Sequence, residues 1–242
     1  MALHFLVESS TSAGVGDIVS LTGAEAKHAA VVRRLRVGEA VTVGDGAGVW
    51  LAGIAEEVSP SRVDVRIAER VEHVAATPRI VLVQALAKGD RDELAVQAAC
   101  ELGVDEIVPW QASRSVSRWE GPKAVKGRER WATIVREAAK QAHRAWVPEV
   151  ALPVSTTQLV ERAGSQRVLL LDPTASARLS EIEPDGRDLV LVVGPEGGIS
   201  DEELERLTSA GAERVLLGQT VLRTSTAGPA AIAVLSVALG RW

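Results

Sequence analysis

The alternation of apolar and polar positions changes character near residue 75. Before that point, short runs in which apolar and polar residues alternate are separated by Gly, Asp, Ser and Pro. Such alternation is typical of strands that bury one face, and the separating residues favour turns. The clearest runs are 39–46, 49–58 and 61–71. We therefore predict a small β-barrel or sandwich in this part of the chain.

One segment among these runs has helical spacing instead. It covers residues 22–38, with Thr22 in the cap position, Glu25 three residues later and Gly38 near its end. A hydroxyl followed by a carboxylate at this spacing is the pattern of a capping box, and glycine commonly follows a helix end. The sequence therefore predicts one helix inserted between the strands.

From residue 79 onwards the chain alternates between uniformly apolar runs and amphipathic stretches. Such runs are typical of strands in a mostly parallel sheet that helices cover on both faces. The predicted strands are 79–86, 104–110, 167–172, 189–194 and 213–218, and the predicted helices are 90–103, 127–146, 200–211 and 226–240. With 74–79 as a linker, we predict two domains, 1–74 and 75–242, and an α/β fold.

Composition excludes several classes of protein. The 242 residues include a single cysteine, Cys100, so no internal disulfide can form, and the four histidines lack the spacing of metal ligands. No apolar run is long enough to span a bilayer, and the start of the sequence lacks the basic flank and cleavage site of a signal peptide. We expect a soluble cytoplasmic protein without a structural metal, with Cys100 in its core.

Charge is distributed unevenly, although the net charge is only −5. Residues 27–36 include four basic residues and no acidic one, and residues 114–130 include six basic and two acidic residues. Residues 181–205, in contrast, include nine acidic residues and one basic residue. Such polarity suits a protein that presents one face to a polyanion and keeps it from another. Solvated helix faces would give the same pattern, so charge alone leaves both interpretations open.

A glycine-rich turn at 194–198 separates an apolar strand from an acidic helix start. It has neither the Gly-Lys-Ser/Thr of a Walker loop nor the G-x-G-x-x-G of a dinucleotide fold. The helix begins with Asp201, Glu202 and Glu203, which already satisfy the positive end of its dipole and would repel a phosphate. Adenosine carrying a sulfonium fits better, and glycine lets the backbone approach it closely. A purely structural turn is the alternative.

Three C-terminal segments, in this order, resemble the methyltransferase core of the SPOUT superfamily. They are "LLLDP", "VVGPEGGISDEEL" and "VLLGQTVLRTSTAGPAAIAVL". Within that superfamily, the chain resembles the 16S ribosomal RNA (uracil-N3)-methyltransferase family over nearly its whole length. Further matching segments are 27–39, 99–110, 113–116 and 136–150.

The resemblance implies an N-terminal PUA-like β-barrel that binds RNA and a C-terminal SPOUT α/β domain whose last segment threads a deep trefoil knot. It also implies a homodimer, with S-adenosylmethionine held by the three knot loops, largely through backbone groups. The cofactor residues carried over are Leu171, Asp172, Pro173, Gly194, Pro195, Glu196, Gly197, Gly198, Leu217, Gly218, Val221, Leu222, Arg223, Thr224, Thr226 and Ala227.

The activity that the resemblance implies is methylation of N3 of a specific uridine in 16S ribosomal RNA. Loss of the N3 proton leaves negative charge on the base, which a cation stabilises. Arg223 is our first choice for that cation, and pairing with the acidic helix is its alternative role. The family motif also places Glu137, Gln141 and Arg144 at the active site, with Glu137 as proton acceptor. An ordinary solvated stripe on one helix is the alternative.

Lysine and arginine side chains in both basic stretches are expected to contact phosphate groups of the RNA. They are Lys27, Arg33, Arg34, Arg36, Arg114, Arg118 and Lys126. Trp119, which lies among them, would either stack on a nucleotide or pack in the core. Ser113 and Ser225 stand where the family commonly has glutamate, so a catalytic role of those glutamates does not transfer to this chain.

Two other functions stay open. One is a different SPOUT methyltransferase that acts on tRNA or on a ribose 2′-hydroxyl, which the barrel-first order and the segments 113–116 and 136–150 disfavour. The other is a non-catalytic RNA-binding assembly factor, which the intact glycine turn followed by "LRT" disfavours.

Overall fold

The computed structural model describes residues 2–7 and 12–242. The chain folds into two compact units, the first formed by the residues up to 75 together with 139–147, and the second by 76–138 and 148–242. The predicted division did not anticipate that 139–147 belong to the first unit. Backbone hydrogen bonds hold this segment there, since Gly48 N donates to Ala145 O at 3.0 Å and Val147 N donates to Gly46 O at 2.9 Å.

The first unit is built on a five-stranded sheet in the order β1-β3-β4-β5-β2. β1 and β3 are parallel, and the other neighbouring pairs are antiparallel. The alternating runs of the sequence form β3, β4 and β5, and their inward-facing apolar residues form one core. The strands are β1 (Leu3–Leu6), β2 (Ile18–Thr22), β3 (Ala40–Gly44), β4 (Val49–Val58) and β5 (Arg62–Glu72).

The helix predicted over 22–38 is shorter than expected. α1 (Gly23–Lys27) continues as one π-helical turn over His28–Val32 and then stops. Arg34 has a φ of 55°, a left-handed conformation that ends the helix before the leucine–arginine–valine segment begins. No cap bond from the Thr22 side chain is present in the described residues, and Glu25 instead pairs with Lys140 at 2.8 Å. The predicted capping box is therefore wrong.

The second unit contains a seven-stranded, fully parallel sheet in the order β10-β12-β9-β11-β6-β7-β8. The central strands β6 and β11 are buried along their whole length, as the uniformly apolar runs predicted. The strands are β6 (Ile80–Ala85), β7 (Glu106–Trp110), β8 (Glu149–Val150), β9 (Arg167–Leu171), β10 (Ala177–Arg178), β11 (Leu189–Val193) and β12 (Glu213–Leu216). The α/β prediction is confirmed.

Helices lie between these strands along the chain, and the last helix follows the last strand. They are α2 (Arg91–Glu101), α3 (Pro122–Gln141), α4 (Thr156–Arg162), α5 (Asp201–Ser209) and α6 (Thr224–Ala238), with a 3₁₀ turn at Leu179–Glu181. The capping box predicted at Ser200 and Glu203 is present, and Cys100 is buried as expected. α4 was not predicted, although its own capping box at Ser155 and Gln158 is readable in the sequence.

α3 differs from its prediction at both ends, because it begins at Pro122 rather than 127 and ends at Gln141 rather than 146. His143, just beyond the end, has a φ of 54°, which is incompatible with continuing the helix. Arg144 therefore does not lie on the same helix as Glu137. The predicted polar stripe of Glu137, Gln141 and Arg144 on one helix is wrong for Arg144.

Neither a membrane-spanning helix nor a metal cluster is found in the part of the chain that the structure describes. None of the described helices is long and apolar enough to cross a membrane. The described histidines, cysteine and carboxylates include no group of three arranged to hold a metal ion. The trefoil knot stays a prediction.

We predict that Gly53→Ala destabilises the first unit strongly. Gly53 lies at a register shift between β4 and β5, where an added Cβ would fall 2.2 Å from Arg66 O, so the backbone must move. We expect a loss of roughly 1–3 kcal/mol in the free energy of unfolding, measured by urea denaturation. Gly14→Ala is the control, because its Cβ would meet only Asp17 Oδ2 at 3.8 Å. Equal stability of the two variants would contradict the prediction.

Candidate ligand site

A cavity of about 660 Å³ opens in the second unit where three loops meet. The loops follow β9, follow β11 and precede α6. Because β9 and β11 are parallel neighbours, their carboxyl ends lie at the same edge of the sheet, where ligands of open α/β sheets commonly bind.

Most of the predicted cofactor residues line this cavity. Those in its wall are Leu171, Asp172, Pro173, Gly194, Pro195, Glu196, Gly197, Gly198, Val221, Leu222, Arg223, Thr224 and Ala227. Leu217, Gly218 and Thr226 are described but lie outside its lining. Residues that were not predicted also line it, among them Arg91, Thr174 and Asp201.

The glycine turn needs glycine at two positions for different reasons. Gly198 has a φ of +71°, and its N–H donates to Pro195 O at 2.9 Å, which closes the turn. A Cβ at Gly194 would fall 2.9 Å from both the backbone N and Cγ1 of Ile199. At Gly197 a Cβ would make only ordinary contact, at 3.5 Å from Arg114. The turn therefore packs backbone on backbone and leaves peptide groups in the cavity wall.

Glu196 is paired on the side of the turn that faces α2. Its Oε1 accepts hydrogen bonds from Lys88 N at 2.9 Å and from Arg91 Nη1 at 2.7 Å. Burial alone would raise the pKa of Glu196, but its own backbone N–H, Lys88 and Arg91 outweigh burial and hold the pKa below its usual value. The glutamate in the turn is thus neutralised by a neighbouring arginine.

Arg114 holds the other side of the turn. Its Nη1 donates to Gly197 O at 3.0 Å and to Ile199 O at 3.3 Å. Arg114 was predicted to contact phosphate, whereas the structure places its guanidinium on backbone carbonyls of the cavity wall.

Glu203 is a buried carboxylate that fixes the segment containing Ser113. It accepts hydrogen bonds from Ser113 N and Oγ, both at 2.8 Å, from Thr156 Oγ1 at 2.9 Å and from Ser200 Oγ at 2.9 Å. Burial raises the pKa of Glu203, and these donors more than compensate and hold it below its usual value. Serine suits position 113, because a glutamate there would bring a second negative charge against Glu203.

A chain of two hydrogen bonds ties the turn to the middle of the sheet. Gln84 Nε2, on β6, donates to Thr224 Oγ1 at 2.9 Å, and Thr224 Oγ1 donates to Gly194 O at 2.9 Å. Both side chains are buried. Gln84 was not among the predicted site residues, although a single amide side chain within an otherwise apolar strand is a signal that could have identified it.

Two acidic residues of the cavity wall differ in how they are paired. Asp172 accepts hydrogen bonds from Thr174 N and Oγ1 at 2.8 Å and from Arg214 Nε at 2.6 Å, and these outweigh burial to lower its pKa. Asp201 is exposed and forms no ion pair with any residue that the structure describes. Its carboxylate is therefore available to a cationic ligand.

The predicted catalytic residues fall in three places. Arg223 is exposed in the cavity wall and makes no ion pair within the described chain, so the alternative pairing with the acidic helix is not observed. Glu137 is exposed on α3 of the second unit and is not among the described residues that line the cavity. Arg144 belongs to the first unit, beyond the end of α3.

The remaining residues predicted to contact RNA are all exposed. Those in the first unit are Lys27, Arg33, Arg34 and Arg36, and those in the second unit are Arg118 and Lys126. Trp119 packs edge to face against Trp131, with ring centroids 5.0 Å apart, so packing accounts for part of its surface.

Two family models match the chain. One is described as an RNA methyltransferase domain and matches residues 75–236, and the other is described as an RNA methyltransferase PUA domain and matches residues 21–68. Together they agree with the order of domains expected from the sequence.

Relatives and solved structures are similar over the full chain. A ribosomal RNA small subunit methyltransferase E of Mycobacterium bovis is 41% identical and covers 100% of this chain and 94% of its own. The same enzyme of Neisseria gonorrhoeae, solved bound to S-adenosyl methionine, is 29% identical, with a TM-score of 0.88 and 98% of both chains covered. A putative methyltransferase of Legionella pneumophila, in complex with that cofactor, is 31% identical, with a TM-score of 0.86 and 98% of both chains covered. The predicted family and the PUA-like and α/β parts of the fold are confirmed.

We predict that Glu203→Gln destabilises the second unit near neutral pH. The amide cannot accept all the hydrogen bonds that the carboxylate accepts, so we expect a loss of roughly 1–3 kcal/mol in unfolding free energy at pH 7. Because the folded pKa is lowered, the contribution of the ionised carboxylate is present above its unfolded pKa of about 4.3 and falls as pH drops through the folded value.

Urea unfolding at pH 7 and at about pH 3 measures this difference, since the gap between wild type and variant should narrow in acid. Glu202→Gln is the matched control, because Glu202 is exposed in the same helical turn. A gap that is independent of pH would refute the role of the charge.

Proposed function

This chain belongs to the family of ribosomal RNA small subunit methyltransferases E, and we propose that it transfers the methyl group of S-adenosylmethionine to N3 of a uridine in 16S ribosomal RNA. Methylation of ribosomal RNA with this cofactor follows from family membership. Uracil as the target base and N3 as the methylated nitrogen are our proposal. They are supported by the sequence resemblance and by the charges in the cavity wall.

The cavity fits the cofactor. Its volume of about 660 Å³ lies in the range of small-molecule sites, and its wall offers the peptide groups of the turn at 194–198. Asp201 supplies an unpaired carboxylate that suits a ligand with a cationic centre. When bound, S-adenosylmethionine would supply an electrophilic methyl group on a sulfonium.

Arg223 carries the chemistry that we assign to this chain. Deprotonated uracil holds negative charge on O2, N3 and O4, and a preorganised cation stabilises such charge. Arg223 lines the cavity, and no described carboxylate competes for its guanidinium. Alignment of the two reactants within the cavity accounts for much of the remaining acceleration, up to roughly 7–11 kcal/mol in favourable cases.

Glu137 and Arg144 stay our candidates for further active-site roles, with Glu137 as proton acceptor. Since Glu137 is outside the described lining of the cavity, it would serve a site completed by a second copy of the chain.

We therefore propose a homodimer. The exposed apolar residues Leu94, Val237 and Trp242 provide surface for such an interface, and a monomeric mass in light scattering would contradict it.

We propose that the first unit binds the RNA, with the substrate in the small ribosomal subunit and the enzyme in the cytoplasm. Exposed lysine and arginine side chains on α1 and directly after it suit contacts with RNA phosphates. A methyltransferase for tRNA or for ribose hydroxyls is less well supported, because the relatives over the full chain are named for the small subunit. An assembly factor without activity would not need a cavity of this construction.

Mass spectrometry of nucleosides tests the proposal. Ribosomal RNA from a strain that lacks this gene should contain no N3-methyluridine at the target, and complementation with the wild-type gene should restore it. Loss of a 2′-O-methylated nucleoside instead, or a change confined to tRNA, would replace the proposed reaction with one of the alternatives.

We predict that Arg223→Ala lowers kcat by about a hundredfold or more, because alanine removes a preorganised charge that stabilises a developing anion. RNA affinity should change much less. Single-turnover methylation and filter binding measure the two effects, and Arg223→Lys, which keeps the charge, should retain part of the rate. Equal losses in rate and in RNA affinity would reassign Arg223 to substrate positioning.

We predict that replacing Arg34 and Arg36 by Ala weakens RNA binding and leaves the cofactor affinity unchanged. Both residues are exposed in the first unit, whereas the cofactor cavity is formed by the second. The slope of log affinity against log salt should fall by roughly one unit for each phosphate that the variant no longer neutralises. An unchanged slope and affinity would show that both arginines are ordinary surface charges.

A further inference from the structure

A second cavity, of about 320 Å³, lies in the second unit. Two of the segments that line it also contribute to the first cavity, and the third is α3, which contributes Gly127, Arg130 and Trp131. Arg91 and Arg114 line the first cavity, while Lys88 and Val116, a few residues away on each segment, line the second. Lys88 N donates to Glu196 of the glycine turn at 2.9 Å, so the walls of the two cavities are joined.

Trp119 forms a fixed aromatic wall in this second cavity. One face of its indole lies on Gly127, where a Cβ would fall 2.5 Å from the ring, and Trp131 packs against it at an interplanar angle of 67°. Its backbone is also held, because Trp119 N donates to Gln111 Oε1 and Gln111 Nε2 donates to Ser117 O, both at 3.1 Å. The indole is partly exposed, which leaves surface for a ligand.

Four charged side chains line this cavity in the described chain, and three of them are engaged by other groups of the protein. Asp92 is buried, and its two carboxylate oxygens accept from Ala87 N at 3.1 Å and Glu93 N at 2.9 Å. Glu93 and Arg130 form a bidentate ion pair. The ammonium of Lys88 is exposed and has no acidic partner among the described residues. The cavity thus offers an aromatic ring together with one available cation.

We propose that this second cavity binds one nucleotide of the RNA substrate next to the target uridine, with its base stacked on Trp119 and its phosphate at Lys88. An aromatic platform combined with a cation is how proteins hold single-stranded nucleic acid. The volume suits one nucleotide, since it is at the lower end of small-molecule sites.

The occupant is a neighbour of the target rather than the target itself. The target must reach the methyl group in the first cavity, while the second cavity has its own lining, which shares no residue with that of the first. The second cavity would then anchor the RNA chain and contribute to the choice of sequence around the target. This inference rests on the proposed function.

Steady-state methylation by the full-length protein, with small ribosomal subunits and S-adenosylmethionine, tests the inference. Trp119→Ala should raise the KM for the subunit about tenfold or more and change kcat little, because alanine offers no ring on which a base can stack. Trp119→Phe should restore most of the affinity. The Kd for S-adenosylmethionine, measured by calorimetry, should be unchanged in both variants.

Lys88→Ala provides a second variant whose folding is not at risk, since the side chain is exposed. It should raise the KM and reduce the salt slope of RNA binding by about one unit. Arg178→Ala is the matched control, because Arg178 is an exposed cation outside both cavities, and it should change neither quantity.

Three results would overturn the inference: an unchanged KM in folded Trp119→Ala, equal losses in Trp119→Ala and Trp119→Phe, or a Lys88→Ala variant that behaves like Arg178→Ala. Failure of the proposed function would look different. In that case the wild-type protein itself would bind S-adenosylmethionine without methylating the subunit, whereas here the wild type stays active and only the variants decide.

Discussion

The hydrogen bonds that hold the glycine turn at 194–198 are the constraint on which the site depends. A turn made largely of glycine has few side chains with which to pack, so its conformation must be fixed from outside. Arg114 holds its carbonyls, Glu196 ties it to the start of α2, and Thr224 bonds to Gly194 O. Three distant segments of the chain thereby set the shape of one cavity wall.

The contacts that hold the turn and the neighbouring loop also determine which charged side chains of the cavity wall are paired. The carboxylate of Glu196 is neutralised by Arg91, and that of Asp172 by Arg214. Within the described wall, Arg114, Asp201 and Arg223 have no ion pair, but the guanidinium of Arg114 is engaged by the carbonyls of Gly197 and Ile199, which leaves Asp201 and Arg223 available. A carboxylate suits a cationic methyl donor and a guanidinium suits an anionic acceptor, so the two available charges match the two partners of the proposed reaction.

Local patterns predicted the elements well, and long-range contacts explain where they did not. The apolar runs gave β6 and β11, and the capping box gave the start of α5, because each pattern lies within a few residues. The loops around the cavity were identified through the resemblance to a known family and not through local patterns. The bonds from Ser113 to Glu203 and from Gln84 to Thr224 span 90 and 140 positions, and no periodicity reports contacts at that separation.

Calorimetric titration of the full chain with S-adenosylmethionine and, separately, with a dinucleotide such as NADH shows whether the cavity at the glycine turn is selective for this cofactor. We expect saturable binding of S-adenosylmethionine at one site per chain and no binding of the dinucleotide, because the wall offers peptide groups and an unpaired carboxylate rather than a phosphate cradle. Comparable binding of the dinucleotide, or no binding of S-adenosylmethionine, would contradict this expectation.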